Sequence, residues 1–385
     1  MRKALRAGLL GMILASVTAV TPPARAEIRV GVVNSLTGPV SAIGVPYAKG
    51  YAAAALGTPE VAGQKIVVIA MDDRSDPTVA AQVGRKLIEE ERVDVLVGSA
   101  AAPASYALYA VAAEAKVPLV YAANGAVEGE RGAWEITIPQ PPALMIQAVS
   151  EYMAAHQLGT VAFIGFNDAW GDSVFQGLRA SADPAGIKII DDERYARTDT
   201  SVTGQTLKIM AAHPDAVLVG AAGTPAVLPQ KTLHERGYKG LYYQTHGAAI
   251  PDFLRVGGKD VEGTFLPVGP VLVAAQLPDA NPVKAVALDY IHRYEAVYGP
   301  GTATAFGAHA ADALSMIAAA LPAALKAGKP GTPAFRAGLR DGLENLHELV
   351  LCHGIVNTTA QDHNGLDARG RVMVTIQDGT WKLLP

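Results

Sequence analysis

Trp170 is the side chain that its neighbours best prepare to meet a small molecule. Asn167, Asp168, Gly171 and Asp172 surround it with turn-forming residues, so the indole is expected at a loop tip facing a cleft, the competing reading being a core tryptophan. A flat indole wall suits a flat or apolar solute. His246 follows an apolar run at 241–244 and can donate to a carboxylate or carbonyl, although nearby backbone can satisfy such a histidine equally well. Tyr242 and Tyr243 alternate across that run, so at most one faces the pocket at its end.

Catalytic and metal-binding patterns fail on inspection. The chain contains no GxSxG, HExxH, P-loop lysine or CxxC, and no dinucleotide glycine fingerprint after its first strand. Asp362 and Asn364 begin like a calcium loop, but Leu366 fills the third ligand position, Asp367 replaces the required glycine and Met373 stands where the closing Glu belongs. His353 and His363 have no partner ligands close in sequence. The expectation is a binding protein without metal or cofactor, not an enzyme.

The elements that must position such residues alternate. Runs rich in Val and Ile at 28–33, 65–71, 93–97, 117–121, 160–166, 187–190, 216–219 and 241–244 read as strands, separated by stretches of helical spacing. This is the pattern of parallel sheets covered by helices on both faces. In 78–91, Val79, Ala80, Val83 and Leu87 share one face, and Asp76-Pro77-Thr78 supplies a start. Prolines at 139, 141 and 142 mark a crossover between lobes, the extended run 263–269 a second, and 354–357 a third that leads into an antiparallel tail. A long helix is expected over 282–298. The apolar stretch 310–325 contains Asp312 and Pro322, and reads as a buried helix that bends or stops near the proline.

Composition limits the possibilities further. Half of the residues are apolar, 18% are charged and the net charge is −4, which gives no electrostatic footprint for nucleic acid or an anionic membrane. Arg2, Lys3 and Arg6, an uncharged run at 7–20 and Ala24-Arg25-Ala26 form a signal peptide cut before Glu27. That leader predicts a soluble protein of the periplasm, without stable membrane insertion. Roughly 360 residues then remain, suited to two lobes. The single Cys352 rules out an internal disulfide.

Several motifs in order carry a resemblance over essentially the whole mature chain. They are Ile28-Arg29-Val30-Gly31-Val32-Val33 followed by Leu36-Thr37-Gly38-Pro39-Val40, Asp72-Asp73-Arg74-Ser75-Asp76-Pro77, and Val93-Asp94-Val95-Leu96-Val97-Gly98. Val117-Pro118-Leu119-Val120, Phe166-Asn167-Asp168-Ala169-Trp170-Gly171 and Glu262-Gly263 complete the set. The chain resembles the type I periplasmic solute-binding proteins of ABC importers, in the branch named for leucine, isoleucine and valine binding. The resemblance implies an α/β fold of two Rossmann-like lobes with parallel sheets joined by a three-segment hinge. It divides the chain into a signal peptide at 1–26, a first lobe at 27–138 and 270–354, and a second at 139–269 and 355–385. It also implies closure on a small solute and docking on an inner-membrane permease.

Ligands of open parallel sheets sit beyond the carboxyl ends of the strands. The loops expected at the cleft are 35–43, with Ile43; 98–105; 122–126, with Ala123; 167–172; 220–225, with Gly223; and 245–249. In the amino-acid-binding members, two hydroxyl residues hold the α-carboxylate and an acid from the second lobe holds the ammonium. Alignment puts Ala102 and Gly125 in the hydroxyl positions and offers no acid in 245–249. Ala222 replaces an aromatic often found there. A buried ammonium without a counter-charge is costly, whereas helix N–H groups near Ala102 and Gly125, helped by Ser99, Ser105 or Asn124, can hold an anion. The expected function is capture of an aromatic or apolar carboxylate by a monomeric periplasmic receptor. A branched-chain amino acid or amide is the alternative within the class, and a periplasmic sensor or enzyme on the same frame the alternative outside it.

Overall fold

Parallel strands buried on both faces need continuous apolar runs, and two such runs lie inside two separate sheets. The computed structural model describes residues 27–57, 60–61, 63–121 and 129–385. The expected leader and its cleavage after Ala26 lie outside the described residues. The first sheet contains β1 (Ile28–Asn34), β2 (Glu60–Val61), β3 (Gln64–Asp72), β4 (Val95–Gly98), β5 (Leu119–Tyr121) and β6 (Glu135–Thr137). Their order is β2-β3-β1-β4-β5-β6, parallel except for β2 against β3.

The second sheet holds β7 (Thr160–Phe166), β8 (Lys188–Tyr195), β9 (Ala216–Gly220), β10 (Leu241–Gln244) and β11 (Phe265–Val268). A short hairpin, β12 (Leu349–Leu351) and β13 (Gly354–Val356), stands apart, and the tail strands β14 (Val372–Gln377) and β15 (Thr380–Leu383) join the second sheet in antiparallel fashion. The order is β15-β14-β11-β10-β9-β7-β8. The chain therefore reverses its winding around β1 in one sheet and around β7 in the other, and the carboxyl ends of those strands form the crevices where ligands bind in such sheets.

Among the described residues eleven α-helices cover the sheets: α1 (Ser41–Gly57), α2 (Pro77–Glu89), α3 (Ala102–Ala115), α4 (Pro142–Ala155), α5 (Ala169–Ala182), α6 (Thr203–Ala212), α7 (Val227–Glu235), α8 (Pro251–Gly257), α9 (Pro282–Tyr298), α10 (Ala305–Ala327) and α11 (Pro333–Leu343). Asp76 caps α2 by accepting from the N–H groups of Thr78 and Val79, with Pro77 in the first turn, as its sequence signals imply. The α10 helix does not stop at Pro322 but runs on to Ala327. It has the length and composition of a membrane span, yet 61% of its most apolar window is buried, against α1, α11 and the first sheet. At the crossing of α1 and α10 the backbones touch. A Cβ added at Gly50 would lie 2.2 Å from the carbonyl oxygen of Gly307.

The chain leaves the first sheet through Pro139 and Gln140, and this segment is tied to residues 364–370 that lead to the tail strands. Asn364 donates from Nδ2 to the carbonyl of Pro139 at 2.9 Å and to Thr137 Oγ1 at 3.0 Å. Gln140 donates to the carbonyl of Gly370 at 3.0 Å. The tail hairpin turns at Asp378 and Gly379, both with positive φ, the geometry of a tight two-residue turn.

Candidate solute cleft

Four loops of the second sheet end beside β7. Trp170 follows β7, Arg197 follows β8, Ala222 follows β9 and His246 follows β10. Opposite them, Ile43 and Tyr47 of α1, Ala102 at the start of α3, and Phe306 and His309 of α10 complete a cavity between the sheets. It holds about 40 Å³ of usable volume within about 450 Å³ of unfilled space that includes its mouth. The first figure is room for about three waters, so a whole solute must push the walls apart.

The walls are built from rings. Trp170 is 7% exposed and packs edge-on against His246, with centroids 5.3 Å apart. Its position is fixed from below: Asp168 accepts from the N–H groups of Trp170 and Gly171, and a Cβ on Gly171 would lie 1.9 Å from the carbonyl oxygen of Phe166. The indole Nε1 is buried without a hydrogen-bond partner among the described residues. Across the cavity Tyr47 lies parallel to His309 at 6.0 Å and tilted against Phe306 at 5.8 Å.

Arg197 is the charged group of this cavity. Its Nε donates to Asp168 Oδ2 at 2.5 Å, and its guanidinium lies 4.1 Å from the centre of the Phe166 ring. Neither Nη atom has a hydrogen-bond partner among the described residues, and the side chain is 17% exposed. None of the described residues lining the cavity is an acid. The site therefore presents a held cation inside an aromatic cage.

Behind the first wall lies a buried cluster. His353 stacks on His309 with centroids 3.5 Å and planes 8° apart, and its Nδ1 meets Asp312 Oδ2 at 2.7 Å. Asp312 also accepts from the N–H of Cys352 at 2.8 Å. Burial pushes Asp312 up to about 6, and pushes His353 and His246 down to about 3. The three residues His309, Asp312 and His353 bring possible metal ligands together, so His353 has the partners its sequence neighbours could not supply. Two imidazoles stacked face to face nonetheless direct their in-plane lone pairs along parallel lines, not toward one ion.

The expected site residues divide into three groups. Ile43, Ala102, Trp170, Ala222 and His246 line the cavity. Gly223 sits just beside it, where an added Cβ would lie 3.6 Å from Ile43 Cδ1. Ser99 and Ser105 are fully buried beneath it and spend their groups on each other: Ser105 Oγ takes the N–H of Ser99 and returns a bond to its carbonyl, both at 2.9 Å, while Ser99 Oγ donates to Asp73. They are not free to hold a solute, contrary to expectation. Ala123, Asn124 and Gly125 lie outside the described residues. The helix start expected just after β5 falls in the same stretch outside the described residues; the next described element is a 3-10 turn, Gly129–Trp134. Tyr243 is core and Tyr242 packs on Tyr238.

Arg197 escaped the sequence reading because the strand before it looked short. Asp191, Asp192, Glu193 and Arg194 hide an edge strand that runs to Tyr195, and its carboxyl end delivers Arg197 to the switch point. His309 and Phe306 escaped because α10, capped by Thr304, starts at Ala305, five residues before the apolar stretch does.

Residues 27–379 match the model of the periplasmic binding proteins. The chain belongs to that family. An extracellular ligand-binding receptor from Rhodopseudomonas palustris HaA2 is 44% identical, with a TM-score of 0.89 over 94% of this chain and all of that one. The Leu/Ile/Val-binding protein homolog 7 of Brucella abortus is 28% identical over 60% of this chain; the match spans 61% of that relative's length. At the level of fold, a solute-binding protein of an ABC transporter from R. palustris in complex with benzoate superposes with a TM-score of 0.80 at 18% identity, over 93% of this chain and 95% of that one. The resemblance read from the motifs and the two-lobed α/β fold are thus borne out.

Proposed function

We propose that the protein is the periplasmic receptor of an ABC importer and that it captures a small aromatic or apolar carboxylate. The observation that carries this reading is Arg197, whose guanidinium faces a cavity of aromatic rings with both Nη atoms unpartnered among the described residues. A planar guanidinium matches a carboxylate in two parallel hydrogen bonds. Asp168, beside the cavity, is spent on Arg197 and on the cap of α5, and no described lining residue is an acid, so an ammonium group would enter the cavity unpaired. The fold accommodates such a ligand, as the benzoate complex of the distant neighbour illustrates.

On this reading residues 27–138 with 270–354 move as one lobe and 139–269 with 355–385 as the other. The leader is removed after Ala26, a single copy suffices to close on the solute, and an inner-membrane permease receives it. Calorimetry with benzoate beside leucine and valine tests the solute class. Binding of benzoate with neither amino acid competing is expected, and leucine binding more tightly than its des-amino analogue would overturn the carboxylate reading in favour of a branched-chain amino acid.

A further inference from the structure

Three imidazoles and one carboxyl collect where the cleft meets the hinge. His246 and His309 line the cavity from opposite sides. His353, in the turn between β12 and β13, stacks behind His309, and its far side rests on two interlobe crossings: a Cβ added at Gly269 would lie 2.3 Å from His353 Cδ2 and 2.6 Å from Gln140 Nε2. His353 itself opens the third crossing. A change in this cluster therefore reaches the cleft wall and the hinge together.

We propose that closure of the lobes is linked to proton release, so that the cleft shuts over neutral imidazoles and mild acid opens it. The proposal rests on reading the cavity as the solute site. In the form described, with the cavity narrowed to about 40 Å³, burial disfavours the charged ring of His246, whose pKa falls to about 3 with His353 adding to the effect, and it drives His309 down as well. Arg197 already places one positive charge in the opposite wall, and no described lining residue supplies a negative one. Opening wets His246 and His309 and returns them toward the ordinary value near 6.5.

The other titratable groups around the cluster do not cancel this. Tyr47 and Tyr51 from α1, Tyr290 from α9 and Cys352 are all pushed up by burial and stay neutral. Asp168 stays paired with Arg197. Asp312 is raised, which has the opposite sign, but it is 1% exposed between α10 and the β12–β13 turn and does not line the cleft, so opening the cleft changes its surroundings little. The net effect is that the open form holds more protons. Affinity then falls as pH drops below about 6.5, by up to about tenfold per pH unit for each imidazole.

Calorimetry with benzoate, and with leucine as a second probe, at pH 7.5 and 5.5 tests the linkage, since neither probe changes its own charge in that range. Whichever probe binds should lose about tenfold in affinity if one imidazole is linked, and about a hundredfold if both are. In buffers of different ionisation heat, binding near pH 6 should release protons. His246→Gln combined with His309→Gln should collapse the ratio between the two pH values, with melting curves checking that the variant is folded. A pH-independent affinity, or binding without proton release, overturns the linkage. Binding of leucine in place of benzoate with the linkage intact sinks only the solute reading. Should neither probe bind, small-angle scattering of the ligand-free protein carries the test: expansion between pH 7.5 and 5.5 supports the linkage, and an unchanged radius of gyration overturns it.

Discussion

Asp168 holds Arg197 by a 2.5 Å contact between Oδ2 and Nε while its Oδ1 caps α5 at the N–H of Trp170. One carboxylate thus fixes both the cation and the indole wall of the cavity, and it does so from the edge, leaving both Nη atoms of Arg197 without a partner among the described residues. The pairing lowers the cost of burying the guanidinium, and it removes the acid that an amino acid's ammonium would need.

Arg197→Ala should weaken binding of the carboxylate by about 2–4 kcal/mol, the scale of truncating a buried hydrogen-bonded charge pair. Arg197→Lys should recover only part of that, because an ammonium cannot make the bidentate contact. Calorimetry on both variants checks the order. Equal affinities for wild type and Arg197→Ala would remove the guanidinium from the site.

Trp170→Ala should cost about 1–3 kcal/mol in binding, and Trp170→Phe less, since the ring wall survives and only the Nε1 donor is lost. Melting curves with and without solute separate the roles. A drop of equal size in both states would show that the indole matters to the core alone.

A second negative charge in the cleft should repel an anionic solute. Ala248 and Ala249 are buried in the turn after β10, so glutamate there would test folding and not charge. Ala222 lines the cavity. Ala222→Asp is expected to lower affinity for benzoate by tenfold or more, and Ala222→Asn, similar in size without the charge, to lower it less.

Asp312 gives a pH signature in stability. Its folded pKa, raised by burial to about 6, exceeds the ordinary carboxyl value, so its contribution is fully present below about pH 4 and is lost as pH rises through 6. At pH 8 the loss amounts to roughly 3 kcal/mol. Denaturant titrations of wild type and Asp312→Asn at pH 4 and 8 should show the variant gaining relative to wild type at the higher pH. A difference that does not change with pH would contradict this.

Gly50→Ala should destabilise the protein by about 2 kcal/mol or more, because the new Cβ would collide with the Gly307 carbonyl and push α1 off α10. The same shift would part Tyr47 from His309. Solute affinity and melting temperature should therefore fall together.

The sequence alone determined the layered α/β architecture, because apolar runs and helical periodicity are local properties of the chain. The runs at 160–166 and 241–244 coincide with β7 and β10, and the helix at 282–298 with α9. The prolines at 139, 141 and 142 stand where the chain leaves the first sheet for the second. What the tertiary structure decided was which side chains meet. Arg197 reaches the cavity only because β8, charged along an edge strand that shows water one face, continues to Tyr195 beside the switch point. His309 and His353 are 44 positions apart in the sequence, yet their rings stack because α10 runs beneath the β12–β13 turn that Asp312 holds. Ser99 and Ser105 looked available by type and spacing, but only the fold shows that the Ser105 hydroxyl is taken up by the backbone of Ser99 and the Ser99 hydroxyl by Asp73. Partnerships of that kind depend on distances across the fold, which residue order does not encode.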